Sequence, residues 1–145
     1  MTVAFCGHSD FQGPNDVEMA FLSILERNVG DEPVEFYLGG YGGFDAFALE
    51  CCKKYREVYK NALLVYVSPY IEVKGIQQGY DAVIYPEIEK KPLRFAVVYR
   101  NRYMIDKADM VVAFISRSFG GAYKTYSYAK RKNKKIFNLA EIENI

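Results

Sequence analysis

The sequence predicts an α/β fold, a Rossmann-like three-layer sandwich with a mainly parallel sheet of about five strands. Unbroken apolar runs alternate with segments of helical periodicity along all 145 residues. Strands that are buried on both faces have such continuous apolar runs, and they occur in parallel sheets covered by helices. The length suits one sizeable core, and no internal repeat, linker or low-complexity segment divides the chain. Residues 1–145 are therefore predicted to form a single domain.

The strands are predicted where the apolar runs lie. Five runs meet this description: 2–6, 34–38, 62–67, 110–115 and 135–139. Residues 82–85 are a sixth and shorter candidate, because they lie in the least regular part of the chain, residues 70–92, which glycines and prolines interrupt. A connection of that length is uncommon in a compact domain and often carries function.

Four segments between these runs have helical periodicity. The first ends near residue 28, and the others are residues 45–59, 93–107 and 122–132. The first segment begins with the start signal Pro14-Asn15-Asp16, in which Asn15 or Asp16 can cap the helix. Strands and helices therefore alternate in the order that a parallel sheet requires.

Composition and charge limit the classes of function. The formal net charge of +1 gives no overall field for nucleic acid or an anionic membrane, which argues against both partners. No apolar run approaches the roughly 18 residues of a membrane span, and the N-terminus runs straight into a strand without a leader, so we expect a cytoplasmic protein. The three cysteines lack a metal-type spacing and there is one histidine, so we expect reduced thiols, no metal and no resident cofactor.

Two glycine clusters are the most informative motifs. Leu38-Gly39-Gly40-Tyr41-Gly42-Gly43-Phe44-Asp45 follows the second predicted strand, and Ser118-Phe119-Gly120-Gly121-Ala122 follows the fourth. Glycine permits a positive φ and a close backbone approach, so a strand, glycines and a helix start together form a common anion cradle. A tight turn that needs glycine only for packing is the alternative at each cluster. Two clusters in one domain favour a ligand that carries phosphate.

The candidate site lies at one edge of the predicted sheet. Ligands of such sheets bind beyond the carboxyl ends of the strands, where the chain order reverses. The segments that follow four of the predicted strands should therefore share one rim. The candidate ligand-binding residues are Gly7, His8, Gly39, Gly40, Gly42, Gly43, Asp45, Arg100, Ser116, Gly120, Gly121 and Thr125.

Several of these residues have two interpretations. Asp45 is a helix cap or an acceptor for ribose hydroxyls, and the two roles are compatible. His8 follows a glycine at a strand end and is a ligand contact or a structural residue. Gly120 and Gly121, with Thr125 downstream, are the preferred phosphate subsite, where the helix dipole would add about 0.5–1 kcal/mol. Cys6 is predicted to be a core residue rather than a nucleophile.

The motifs taken together resemble the SLOG superfamily. They are Phe5-Cys6-Gly7-His8, residues 37–45 and 100–109, and Gly120-Gly121-Ala122-Tyr123-Lys124-Thr125. That superfamily joins the DNA-processing protein DprA (Smf), the Lonely Guy phosphoribohydrolases and many small bacterial and phage proteins, and the chain looks closest to the YpsA-like group. The resemblance implies a Rossmann-like domain that binds nucleotides or their derivatives, with Arg100 as a ligand or phosphate contact.

The Lonely Guy enzymes hydrolyse the N-glycosidic bond of nucleoside monophosphates, and this chain matches only part of their pattern. Arg100, Met104 and Asp109 have the right spacing, whereas Asn101 stands where those enzymes have lysine. No carboxylate follows Thr125 within the predicted helix, although the family pattern has its candidate acid/base glutamate there. Asp45 or Glu50 is a conceivable substitute.

The sequence thus favours a cytoplasmic binding domain for a nucleotide or nucleotide-derived ligand, in a sensor, carrier or sequestering role. A phosphoribohydrolase-like enzyme is the first alternative, and its catalytic residues are unknown. A single-stranded nucleic-acid-binding module is the second, since residues 130–135 form a basic cluster. The tyrosines at 123, 126 and 128 stack on a base or form a dimer surface, so a homodimer stays open.

Overall fold

The apolar runs pair into one parallel sheet. The computed structural model describes residues 1–13, 16–71 and 79–141. Within them the sheet has six strands, which are β1 (Thr2–Gly7), β2 (Val34–Leu38), β3 (Ala62–Val67), β4 (Ala82–Ile84), β5 (Met110–Phe114) and β6 (Lys135–Asn138). Their order is β4-β3-β2-β1-β5-β6, and every neighbouring pair is parallel. The predicted α/β class is confirmed, with six strands where the sequence predicts about five.

The additional strand, β4, is held in place by the residue that precedes it. The Asp81 carboxylate accepts the Leu64 N–H at 2.8 Å, and the Asp81 N–H donates to the Leu64 carbonyl at 2.7 Å. Asp81 also forms an ion pair with Arg56 on the neighbouring helix. Because Ala82 and Val83 are exposed, these polar contacts rather than burial position the strand at the edge of the sheet.

Four α-helices connect the strands in the described parts of the chain. They are α1 (Asp16–Asn28), α2 (Gly42–Val58), α3 (Ala96–Lys107) and α4 (Gly121–Arg131). Helix α2 begins three residues before the predicted start at Asp45, and a 3₁₀ turn, Leu93–Phe95, separates Pro92 from α3. The predicted start signal at 14–15 and residues 72–78 of the irregular segment lie outside the described residues.

The sheet separates two apolar cores. Successive side chains of a strand point to opposite faces, so Val3 and Phe5 of β1 pack against α1 and α2. Ala4 and Cys6 pack on the other face, against α3 and α4. This arrangement is the predicted three-layer sandwich. In the described parts of the chain, none of the helices has both the length and the apolar character that a membrane crossing requires.

Candidate functional site

A cleft opens where the order of the strands reverses. The chain runs outward from β1 to β4 and then returns to β5 on the other side of β1, which makes the carboxyl ends of β1 and β5 the expected ligand crevice. The cleft at this position has a volume of about 200 Å³, and its walls come from β1, the start of α2, α3 and the start of α4. Six of the predicted site residues line it: Gly7, Gly39, Asp45, Arg100, Gly121 and Thr125.

The other predicted residues lie around the cleft rather than in its wall. His8 and Ser116 follow β1 and β5, and Gly120 lies just outside, in a groove between α3 and α4. Gly40 lies in the turn before α2, and Gly42 and Gly43 are the first two residues of that helix. Both glycine clusters therefore reach one shared space, as the sequence predicts, although they contribute to it in different ways.

Arg100 is a buried charge at the centre of the site. Its side chain projects from the middle of α3, is 3% exposed, and donates from Nη1 to the carbonyls of Gly39 at 2.9 Å and Val67 at 2.7 Å. Burial lowers the pKa of the guanidinium from its usual value, and the nearby Asp45 carboxylate opposes that shift. Arg100 thus joins α3 to the carboxyl ends of β2 and β3 while its charge stays within the cleft wall.

Asp45 is the acidic counterpart of this arginine. It lies in the first turn of α2, is half-buried, and its Oδ2 accepts the N–H of the N-cap residue Tyr41 at 2.9 Å. Burial raises the pKa of the carboxyl to about 6, while the Tyr41 hydrogen bond and the charge of Arg100 act in the opposite direction. The prediction of Asp45 as the helix N-cap is wrong, because α2 begins at Gly42 after the N-cap residue Tyr41, and Asp45 accepts the N–H of that residue from within the first turn. The same carboxylate lines the cleft.

The first glycine cluster is filled by protein rather than open to a ligand. The Gly43 N–H donates to the Ser9 carbonyl at 2.7 Å, and the Phe44 N–H donates to the His8 carbonyl at 3.3 Å. A Cβ at Gly42, where φ is +87°, would lie 2.7 Å from the Cα of Ser9. These glycines admit the loop after β1, so the amides of Gly43 and Phe44 are not the anion cradle that the pattern predicts.

The second glycine cluster is open. Gly120 has a φ of +95° and precedes α4, and a Cβ added to Gly120 or Gly121 would meet no atom within 4 Å. The first bond of the helix runs from the Lys124 N–H to the Gly120 carbonyl at 3.1 Å. The amides of Gly121, Ala122 and Tyr123 precede that bond and have no acceptor in the described part of the chain. Three residues with donors at the positive end of a helix dipole therefore border the cleft or the groove beside it.

A chain of hydrogen bonds connects the two clusters through α3. Arg100 Nε donates to the Asn101 Oδ1 at 2.8 Å, and Asn101 Nδ2 donates to the Thr125 hydroxyl at 3.3 Å. The Thr125 hydroxyl donates in turn to the Gly121 carbonyl at 3.1 Å. Asn101 is not among the residues that the sequence predicts for the site. Val97, Asn101 and Met104 all line the cleft, and their helical spacing places them on one face of α3. That spacing is the sequence signal by which Asn101 could have been assigned to the site.

His8 joins two strand ends. It is 4% exposed, and its Nε2 accepts the Ser116 N–H at 3.0 Å, which requires a neutral ring with the proton on Nδ1. Burial and the positive charge of Arg117 lower the pKa of His8, with Asp10 opposing them. The side chain therefore fixes the loop after β5 against the loop after β1. A ligand contact through His8 stays a prediction, and its Nε2 already accepts a hydrogen bond from the protein.

The cysteines and the last two residues of the basic cluster, Lys134 and Lys135, have structural positions. All three cysteines are buried, and burial raises the pKa of Cys6 to about 12, which suits a core residue rather than a nucleophile. Lys134 Nζ donates to the carbonyls of Asp106 and Ala108 at the end of α3, and Lys135 Nζ donates to Asn28. Among the described residues, no group of three His, Cys, Asp or Glu side chains is placed to hold a metal ion.

Solved structures with this fold include two forms of DNA processing protein A (DprA). The protein from Streptococcus pneumoniae has a TM-score of 0.65 and 17% sequence identity over 94% of this chain and 49% of that chain. The protein from Helicobacter pylori, studied for its single-stranded DNA binding mode, has a TM-score of 0.63 and 17% identity over 95% and 64%.

A third structure with this fold is the molybdenum cofactor binding protein from the phototrophic bacterium Rippkaea orientalis. Its TM-score is 0.61 and its identity 17%, over 93% of this chain and 73% of that one. Neither a protein-family model nor a curated protein sequence matches the chain. The chain spans about half to two thirds of the length of the two DprA chains. At 17% identity these structures share the fold of this chain, which is the Rossmann-like α/β fold that the sequence predicts.

Proposed function

We propose that the protein binds a nucleotide or a nucleotide-derived ligand in the cleft, in a sensor, carrier or sequestering role. One observation carries the proposal, which is the set of three amides without acceptors at the start of α4, beside the crevice at the strand reversal. Backbone amides at a helix N-terminus bind phosphate well, because the donors converge and the dipole favours negative charge.

The rest of the cleft supports this placement of a phosphate. Asn101 and Thr125 face the same space as the amides of α4, and each already forms a hydrogen bond that fixes its orientation. Arg100 adds a buried positive charge within the wall, although its Nη1 and Nε groups donate to protein acceptors. Arg100 would therefore stabilise a bound phosphate through electrostatic attraction more than through direct hydrogen bonds.

The solved structures with this fold support a binding role in general terms. One of them is a molybdenum cofactor binding protein, and another is described by the way it binds single-stranded DNA. A fold hosts different ligands through different sites, so the choice of a nucleotide comes from the donors of this cleft and from the sequence resemblance.

Calorimetric titration against a panel of nucleoside phosphates and cyclic ADP-ribose-type molecules tests the proposal. We expect at least one member to bind, and Gly121→Asp to abolish the binding, because a carboxylate at the start of α4 would occupy and repel the phosphate position. The same substitution favours the helix, since an acidic residue in the first turn stabilises it. Loss of binding would therefore not come from loss of fold.

Asn133→Asp is the matched control. Asn133 is exposed just beyond the far end of α4, at a φ of +57° that aspartate also accepts, so the variant adds the same charge away from the cleft. It should bind like the wild type. A panel without any bound member, or equal losses in the two variants, would contradict the proposal.

Hydrolysis of an N-glycosidic bond is a second candidate function, and the position of Asp45 is the observation that favours it. Its carboxyl lines the cleft with a pKa raised to about 6, the range in which a general acid protonates a leaving base near neutral pH. Glu50 is exposed and pairs with Lys53 outside the cleft. Release of free base from a nucleoside monophosphate should fall as the pH rises above about 6 and should be lost in Asp45→Asn. Absence of base release by the wild type would exclude this candidate.

A further inference from the structure

A second and larger cavity adjoins the cleft. It is a groove of about 660 Å³ between α3 and α4, whereas the cleft has about 200 Å³. Binding pockets for small molecules typically have roughly 300–1,000 Å³, so the cleft alone is small for a whole ligand. The two cavities share Val97, Asn101, Gly121 and Thr125 in their walls. A ligand anchored at the start of α4 therefore has space on both sides.

The upper part of the groove, beside Gly120, is apolar and exposed. Phe119 is 67% exposed, and Val97 and Val98 on the facing helix are 40% and 43% exposed. Exposed aromatic and aliphatic surface of this kind is a platform on which a planar heterocycle stacks.

The lower part of the groove carries two positive charges, one from each of the facing helices. The guanidinium groups of Arg102 and Arg131 pack on the ring of Tyr128, at 5.3 and 5.9 Å from its centre. Tyr128 is itself fixed by its hydroxyl, which donates to Asp106 at 2.7 Å. Asp106 also faces Lys132 at 3.9 Å. No carboxylate lines the groove, and neither arginine forms a salt bridge within the described residues.

We infer that the groove holds the second nucleotide unit of a dinucleotide whose first phosphate lies at the start of α4. The base of that unit stacks on Phe119 and Val98, and its phosphate faces Arg102 and Arg131. The inference rests on the proposed function, because it extends the same ligand out of the cleft. It follows from the four residues that the two cavities share and from the walls of the groove, which carry open amides, exposed apolar surface and two guanidinium groups that pack on one ring.

Titration with AMP and with the linear dinucleotide pApA tests the inference. We expect the wild type to bind pApA at least about tenfold more tightly, since a phosphate that meets two guanidinium groups gains charge-assisted hydrogen bonds. Replacing both arginines, Arg102→Gln with Arg131→Gln, should bring the ratio of the two affinities to about one. Arg27→Gln is the matched control, because Arg27 is exposed on α1, across the sheet from the groove, and should leave the ratio unchanged.

The outcomes separate the inference from the proposed function. If the wild type binds AMP and pApA equally, the inference is wrong and the proposed function stands. If it binds neither, nor any other member of the nucleotide panel, both are wrong. If the dinucleotide is preferred, a tetranucleotide of the same base is titrated next. This titration decides whether the ligand is a free dinucleotide or the end of a nucleic-acid strand. Tighter binding of the longer chain identifies the end of a strand as the ligand, and equal binding identifies a free dinucleotide.

Discussion

Replacing Arg100 by methionine removes a buried side chain that joins α3 to the ends of two strands. The substitution leaves the carbonyls of Gly39 and Val67 without their donors, which now lie at 2.9 and 2.7 Å. A buried acceptor without a donor costs about 1–3 kcal/mol, and Asp45 would also lose its positive neighbour. Methionine recovers part of this loss through apolar burial. We therefore expect the free energy of unfolding to fall by about 3–5 kcal/mol, the usual cost of breaking a buried charged contact.

Urea unfolding followed by circular dichroism at pH 7 measures this change. With a slope of about 1–3 kcal/mol per molar urea, the midpoint should fall by roughly 2 M. Arg102→Met is the control on the same helix, because Arg102 is exposed and its guanidinium packs on the rings of Tyr99 and Tyr128. It should cost about 1 kcal/mol or less. If the two variants lose the same stability, the buried hydrogen bonds of Arg100 do not hold the site together and the reasoning fails.

Two further predictions concern stability. Asp45 has a pKa of about 6 when folded and an ordinary value of 3.8, so the folded protein binds the proton more tightly than the unfolded chain. The free energy of unfolding of the wild type should therefore fall by about 1–2 kcal/mol relative to that of Asp45→Asn as the pH rises from 4 to 6. Urea unfolding at the two pH values measures this, and an equal change in both proteins would refute it. Gly42→Ala should lower the stability by about 1–3 kcal/mol, since its Cβ would meet Ser9 at a positive φ, whereas Gly121→Ala should be neutral or slightly stabilising. Thermal melts compare these two, and equal shifts would contradict the different roles assigned to the two glycine clusters.

The strands and helices were predictable because each depends on its own local pattern. A buried strand such as β5 reads as an unbroken apolar run, and its neighbours in the sheet do not change that signal. The start of α2 was placed too late, because the glycines that open it read as a turn. Helix α3 was placed too early, since Leu93–Phe95 continues its periodicity as a 3₁₀ turn.

The polar contacts of the site were not predictable, because their partners are distant in sequence. Arg100 meets carbonyls 61 and 33 residues away, and nothing around it in the chain indicates burial. The first glycine cluster gave the same pattern as the second. The loop that fills it, with Ser9, comes from more than 30 residues upstream. The order of the strands, and not the glycine pattern, therefore decides which of the two clusters is open.

The pair of helices that borders both cavities is tied at two places. Asn101, in the middle of α3, bonds to Thr125 in the first half of α4. Near the C-terminal ends of the helices, Tyr128 bonds to Asp106, and Lys134 reaches the last carbonyls of α3. These contacts oppose a separation of α3 from α4, each by roughly 0.5–1.5 kcal/mol. A molecule wider than the gap between α3 and α4 would therefore have to break these contacts before it could enter.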